Sequence, residues 1–334
     1  MRKKPIKSIY FTFIFTIFTI ITMAIFSGCQ LKSSQPVSRT AFYLDTVITV
    51  TLYDVTPSDG EKLLEDCMAL VESYENLLSK TVEGSDVWNI NHSAGAPVAV
   101  HEDTACLLST ALTYAKQYNG MVDPSIGTLS GLWDFGDTGE HLVPAPEEIA
   151  RALSHVSYEN ISLNGNQVTL TDPETRIDLG FIAKGYIADR LKEFLLSQDV
   201  SSAIINLGGN VLTIGTKPDG TPFQVGIQKP FDSRGATALV LTVSDSSVVS
   251  SGNYERYFEL DHVLYHHILS TRDGYPVDSG LSQVTILSEN SVDGDALSTL
   301  CFILGYEKGY ALIESLPHVD AVFITQDGTI YQTW

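Results

Sequence analysis

Asp295 and Thr299 stand four residues apart in DGDALSTLCFILG, 293–305, a run with helical periodicity. That spacing is about one helical turn, so a carboxylate and a hydroxyl share one face. Hard oxygen donors of this kind suit magnesium, which keeps waters and takes further ligands from phosphate. An Asp near a helix start serves equally well to cap the helix or complement its dipole. Upstream, DLGFIAKGYIAD, 178–189, has the form of a strand end, a tight turn and a helix carrying Lys184 near its start. Backbone donors at a helix N-terminus beside a lysine make a phosphate site, although a plain turn with a surface lysine has the same pattern. YHHILSTRDGYP, 265–276, supplies two adjacent imidazoles. Neighbouring strand residues face opposite ways, so only one can enter a site, where a neutral histidine can take a hydroxyl proton.

These residues need elements to hold them. AFYLDTVITVTLYDV, 41–55, alternates and is rich in β-branched and aromatic residues, which predicts a strand. Leu63, Leu64, Cys67, Met68, Val71, Tyr74, Leu77 and Leu78 follow a helical period. Further helices are predicted over 103–118, over PAPEEIARALSHV with its early proline and acids, and over 181–197 and 293–315. Short runs such as VTLTD, AIINLGGNVLTIG, FQVGIQ, ALVLTVSDSSVVSSG, YERYFEL and QVTILSE read as strands bounded by turn residues. The class is α+β, strands backed by long helices, without internal repeats.

The chain has 334 residues, 44% of them hydrophobic, enough for a substantial core. Twenty basic against 40 acidic side chains give a net charge of −20, which argues against a nucleic-acid partner. Residues 1–28 resemble a signal peptide: Arg2, Lys3, Lys4 and Lys7 precede an uncharged apolar run that ends in Ser27 and Gly28 before Cys29. FSGC has the form of a lipobox, with Cys29 as the lipidated residue. The same run is long enough to remain as an uncleaved membrane anchor. Either way the expected location is extracytoplasmic and membrane-anchored. Residues 29–40 read as a tether and 41–334 as one folded body. Cys67, Cys106 and Cys301 remain, an odd number in apolar helical contexts, and are expected as buried free thiols without a zinc site.

Taken together, the three chemistry-bearing segments resemble the ApbE family, the FAD:protein FMN transferases. GMVDPSIGTLSGLWDFG, INLGGNV and SSGNYERYF extend the resemblance across nearly the whole body. It implies an ApbE-type fold, with mixed or antiparallel sheets packed on long helices. The implied reaction is magnesium-dependent transfer of FMN from FAD to a threonine of an exported flavoprotein, such as a membrane redox-complex subunit, with AMP released. The runners-up are an FAD pyrophosphatase and a non-catalytic FAD-binding lipoprotein. By position, the resemblance implies His267 as catalytic base. It implies Asp295, Thr299 and the Phe181 carbonyl as magnesium ligands. Leu44, Thr81, Met121, Val122, Asp123, Asp178, Lys184 and Ile268 fall at cofactor-binding positions. His266 is then structural or solvent-facing. The chain departs from the family pattern at Leu44, usually Met, and at Thr81, often aromatic. It departs also at Phe181 and Gly294, and at Ser270, Thr271 and Asp273, where the family has Asp-Pro and Thr.

Overall fold

The computed structural model describes residues 35–135 and 141–334. The expected signal peptide and Cys29 lie outside them. Among the described residues no helix is long and apolar enough to cross a membrane.

The chain opens with a hairpin, β1 (Val37–Tyr43) and β2 (Thr46–Leu52), where the sequence predicts a single strand from Ala41. Strand β1 thus begins inside the segment expected to be a tether. Leu44 and Asp45 form the tip, both with positive φ, at 54° and 56°. A two-residue turn of that hand normally takes Asn-Gly. Here the Leu44 amide is donated to Glu75 Oε1 at 2.7 Å, so a tertiary contact stabilises what the local sequence does not signal.

Helix α1 (Pro57–Leu78) follows, then α2 (Asp86–Asn91), β3 (Val98–Ala99), α3 (Glu102–Gln117) and α4 (Gly127–Ser130). Next come α5 (Pro146–Leu153), the pair β4 (Ile161–Asn164) and β5 (Gln167–Leu170), and α6 (Ala183–Ser197). Strands β6 (Ala203–Leu207), β7 (Asn210–Ile214), β8 (Phe223–Gln228), β9 (Thr237–Val243), β10 (Ser247–Gly252), β11 (Tyr257–Leu260), β12 (Val263–His266) and β13 (Leu281–Ser288) precede α7 (Ser291–Leu304), α8 (Tyr306–Glu314), β14 (Asp320–Thr325) and β15 (Ile330–Gln332). The predicted helix over 293–315 is broken at Gly305, whose φ of 78° only glycine adopts freely. The predicted run 238–252 also divides, because Asp245 turns at φ 48° and sends β9 and β10 to different sheets.

The main sheet has eight strands in the order β1-β2-β6-β7-β10-β13-β14-β15, every pair antiparallel. On one face α1, α6 and α7 pack against it. Ile48, Val50, Leu52, Ile205 and Leu212 meet Leu64, Val71, Ile187 and Leu191 in the larger core. A second core joins β13 and β14 to α7 and α8 through Val284, Ile286, Phe302, Ile313 and Phe323. The β8–β9 ribbon covers the other face, burying Phe223, Val225, Ile227 and Leu241 against Val248, Val322 and Ile324. Cys67 and Cys301 are buried and free as expected. Cys106 is exposed, because it lies on the solvent side of α3 while Leu107 and Leu108 turn inward.

Candidate active site

The crossing of α6 and α7 organises the site. Gly185 makes it possible: a Cβ there would sit 2.3 Å from the Ser291 carbonyl oxygen. Its amide donates to Asp295 Oδ2 at 2.9 Å. An α-helical ladder would give that amide to the carbonyl four residues back, Phe181. The exchange leaves the Phe181 carbonyl without a hydrogen-bond partner among the described residues, next to the turn that meets Asp295. The opposite end of the same motif also acts on α7. Asp189 accepts the Ser291 and Val292 amides, both at 2.8 Å, and so caps a helix whose own Asn290 makes no side-chain cap.

Asp295 is 4% exposed, and Lys184 Nζ lies 4.0 Å from its Oδ1, close enough for attraction but too long for a hydrogen bond. One turn on, Thr299 is half-buried, with Ser251 Oγ of β10 at 3.2 Å from its hydroxyl. The predicted pair therefore does share one face. Among the described residues no group of three or more His, Cys, Asp or Glu could hold a metal ion, so a zinc-type cluster is absent there. One buried carboxylate, one hydroxyl and one free carbonyl form a different donor set, of hard oxygens alone.

His266 and His267 divide as expected. His266 is buried, receives the Ile268 amide on Nδ1 at 3.3 Å and donates from Nε2 to the Val277 carbonyl at 3.0 Å. Burial lowers its pKa to about 4, so it is a neutral structural residue. His267 presents its ring to solvent while its amide reaches the Arg256 carbonyl at 3.1 Å. Its Nδ1 lies 3.4 Å from the same oxygen. A carbonyl only accepts, so this contact places the ring proton on Nδ1 and leaves the Nε2 lone pair open. Crowding by protein lowers its pKa to about 3, helped by His266, Arg256 and Lys184. Water on the exposed ring opposes that depression, and its direction alone suffices: the imidazole is neutral at pH 7. Lys184 and Arg256 join His267 to the same electrostatic neighbourhood as Asp295, and the Arg256 guanidinium reaches the Asp45 carbonyl at 3.4 Å, beside Leu44 at the hairpin tip.

Asp178 heads a second cluster. Its Oδ2 accepts from Lys80 Nζ at 2.7 Å and Ser130 Oγ at 2.6 Å, and its Oδ1 from the Gly180 amide at 2.9 Å. Burial alone would raise its pKa, but Lys80 and these donors outweigh it and hold the carboxyl below the usual range. The Asp178 amide in turn reaches the Pro124 carbonyl at 2.8 Å, which ties this cluster to the 120–126 turn.

Within that turn Met121 is half-buried, whereas Val122 and Asp123 are 3% and 5% exposed. Asp123 is used internally, Oδ1 taking Ser125 and Oδ2 the Tyr158 amide. Ile268 is likewise a core residue, packed in the same cluster as Val122. At Val122, Asp123 and Ile268 a ligand would therefore meet backbone. Leu44 is half-buried at the hairpin tip, and Thr81 is exposed with its hydroxyl on Ser79, joined to neither cluster. The departures at 270–273 form a closed turn: Gly274 donates to the Ser270 carbonyl, Tyr275 to Asp273, and Thr271 to the Gly120 carbonyl at 2.8 Å. Sequence reasoning missed Lys80, Ser130 and Ser251, whose partners lie 47 to 98 residues away. A groove of about 440 Å³ between β9 and the C-terminal strand holds none of these residues.

Fold and site define an α+β protein with a carboxylate and a lysine at a helix crossing and a neutral imidazole within electrostatic reach of that lysine. The ApbE family profile matches residues 44–323. A Klebsiella pneumoniae protein named FAD:protein FMN transferase is 38% identical over 303 residues, covering 90% of this chain and 92% of its own. A Treponema pallidum protein of the same name is 35% identical, with 87% and 84% covered. The ApbE protein of Thermotoga maritima superposes with a TM-score of 0.82 at 31% identity, covering 90% of this chain and 97% of its own. A flavin transferase ApbE from Vibrio cholerae gives 0.79 at 25% identity, with 90% and 98% covered. The chain belongs to the ApbE family.

Proposed function

We propose that the chain transfers FMN from FAD to a threonine of a partner protein and releases AMP. The observation that carries this reading is the α6–α7 crossing, where Asp295 takes the Gly185 amide, so that the Phe181 carbonyl is left free, and lies 4.0 Å from the Lys184 ammonium. Asp295, Thr299 and that carbonyl fit magnesium as an all-oxygen set, and the bound ion supplies charge neutralisation at the FAD pyrophosphate. Lys184 adds a second positive charge there. The open Nε2 of His267 takes the proton of the acceptor threonine as its oxygen attacks the FMN phosphorus. The new bond is threonine O–P, the pyrophosphate P–O bond breaks, and AMP leaves with the bridging oxygen. Such transfer needs chiefly positioning and charge neutralisation, so no dedicated covalent nucleophile of the enzyme is required. The turn at 120–126, Asp178 with Lys80, and the Leu44 tip form the remaining walls for the dinucleotide. With Cys29 lipidated, the enzyme works on the outer side of a membrane, on an exported flavoprotein subunit.

Asp295→Ala tests the reading. Loss of the charge-neutralising site lowers FMN transfer by roughly 100-fold or more, since each 1.36 kcal/mol is tenfold in rate. Transfer at the parent rate removes Asp295 from the mechanism.

A further inference from the structure

Behind Thr299 lies a chain of hydroxyls in which the direction of every hydrogen bond is forced. Ser298 Oγ is 3.0 Å from the Asp295 carbonyl oxygen. A carbonyl cannot donate, so the single Ser298 proton is committed to it. Ser251 Oγ lies 2.7 Å from Ser298 Oγ, and with that proton already used, Ser251 must be the donor. Ser251 then has no proton left for Thr299, 3.2 Å away, so the Thr299 hydroxyl donates to Ser251. The sequence runs Thr299 to Ser251 to Ser298 to the Asp295 backbone.

We infer that Ser251 and Ser298 are positioning residues that turn the Thr299 proton into the protein and its lone pairs toward the side chain of Asp295. Thr299 is thereby an acceptor only, the form in which a hydroxyl binds a cation. The relay begins and ends on the two residues of the oxygen site, so α7 and β10 are locked in one arrangement for it. Ser298 is fully buried, and its solvent-inaccessible hydroxyl has no part in contacting FAD. The inference rests on the magnesium reading above and assigns residues to it that touch no ligand themselves. Groups oriented behind a metal ligand typically change metal affinity by about 10–100-fold when removed.

The test is Mn²⁺ binding, followed by the electron paramagnetic resonance signal of free Mn²⁺, with full-length protein and saturating FAD against FAD alone. Ser251→Ala is expected to weaken Mn²⁺ binding about tenfold or more. Ser251→Thr, which keeps the hydroxyl, stays near the parent. Ser251→Ala with Ser298→Ala is no worse than Ser251→Ala alone, because the relay is already cut. Ser250→Ala controls for loss of any hydroxyl from β10, since Ser250 pairs with Thr285 outside the relay at 2.8 Å. Parent-like Mn²⁺ binding by Ser251→Ala, or equal weakening by Ser250→Ala, overturns the relay. If Asp295→Ala abolishes Mn²⁺ binding while Ser251→Ala does not, the metal site stands and only the relay falls. If the parent takes up no Mn²⁺ beyond FAD alone, both fall.

Discussion

Gly185→Ala separates local propensity from tertiary packing, because the two predict opposite signs. In a helix interior, Ala is favoured over Gly by about 1 kcal/mol. Here the added Cβ would lie 2.3 Å from the Ser291 oxygen, 2.7 Å from its carbonyl carbon and 2.7 Å from Val292 Cα. All three are backbone atoms of the first turn of α7, so no side-chain rotation relieves the clash. Reaching ordinary contact at 3.4 Å requires about 1 Å of separation between the helices. Overpacking of that kind costs about 1–3 kcal/mol. The same movement breaks the Gly185 bond to the Asp295 carboxylate, worth about 1.5–3 kcal/mol. After the helix-propensity gain, the net loss is roughly 1.5–5 kcal/mol, a large share of a typical folding free energy. Urea unfolding followed by circular dichroism measures it as a lower midpoint at unchanged slope. A variant as stable as the parent, or more so, would refute the close crossing and with it the origin of the free Phe181 carbonyl.

Two further predictions concern His266 and the Lys80–Asp178 pair. His266 is neutral when folded, with its pKa lowered from 6.5 to about 4, so its stabilisation is full above pH 6.5 and is lost as pH falls toward 4. Between those limits the parent should lose roughly 3 kcal/mol more than His266→Gln in parallel urea titrations; equal losses would contradict the assignment. Asp189, raised to about 6 by burial, acts with the opposite sign below pH 6, but it is common to both proteins and cancels in the difference. Lys80→Met leaves the Asp178 carboxylate without its cation and should lower stability by about 1–2 kcal/mol, given that the pair is partly exposed. Adding Asp178→Asn should recover most of that loss, and an additive double variant would show that the pair is not coupled.

The parts of the site that lie within one helical turn were legible in the sequence. Asp295 and Thr299 face together because helix geometry fixes residues four apart, and Lys184 falls in the first turn of α6, near the helix start the sequence predicts. His266 and His267 do part as the sequence predicts, but not by alternation within one strand: β12 ends at His266, and His267 stands in the bend that follows it. Contacts between distant segments were not legible. Lys80 meets Asp178 across 98 residues, and nothing in the spacing of either announces it. The hairpin tip escaped for a related reason: Leu44 adopts positive φ because Glu75, 31 residues away, accepts its amide. Helices α7 and α8 merged into one expected helix because apolar periodicity continues through Gly305, and only the backbone angle there divides them. The strand order of the main sheet was not legible either, because it pairs segments far apart in the chain, as where β2 meets β6.

The most direct test combines full-length protein, FAD, magnesium and an acceptor fragment with its threonine, read by intact mass and by release of AMP. A mass gain equal to one FMN phosphoester on the fragment, with equimolar AMP and loss of both on chelation, is the predicted result. AMP and free FMN without the mass gain would make the enzyme an FAD pyrophosphatase, and neither product would contradict the catalytic reading altogether.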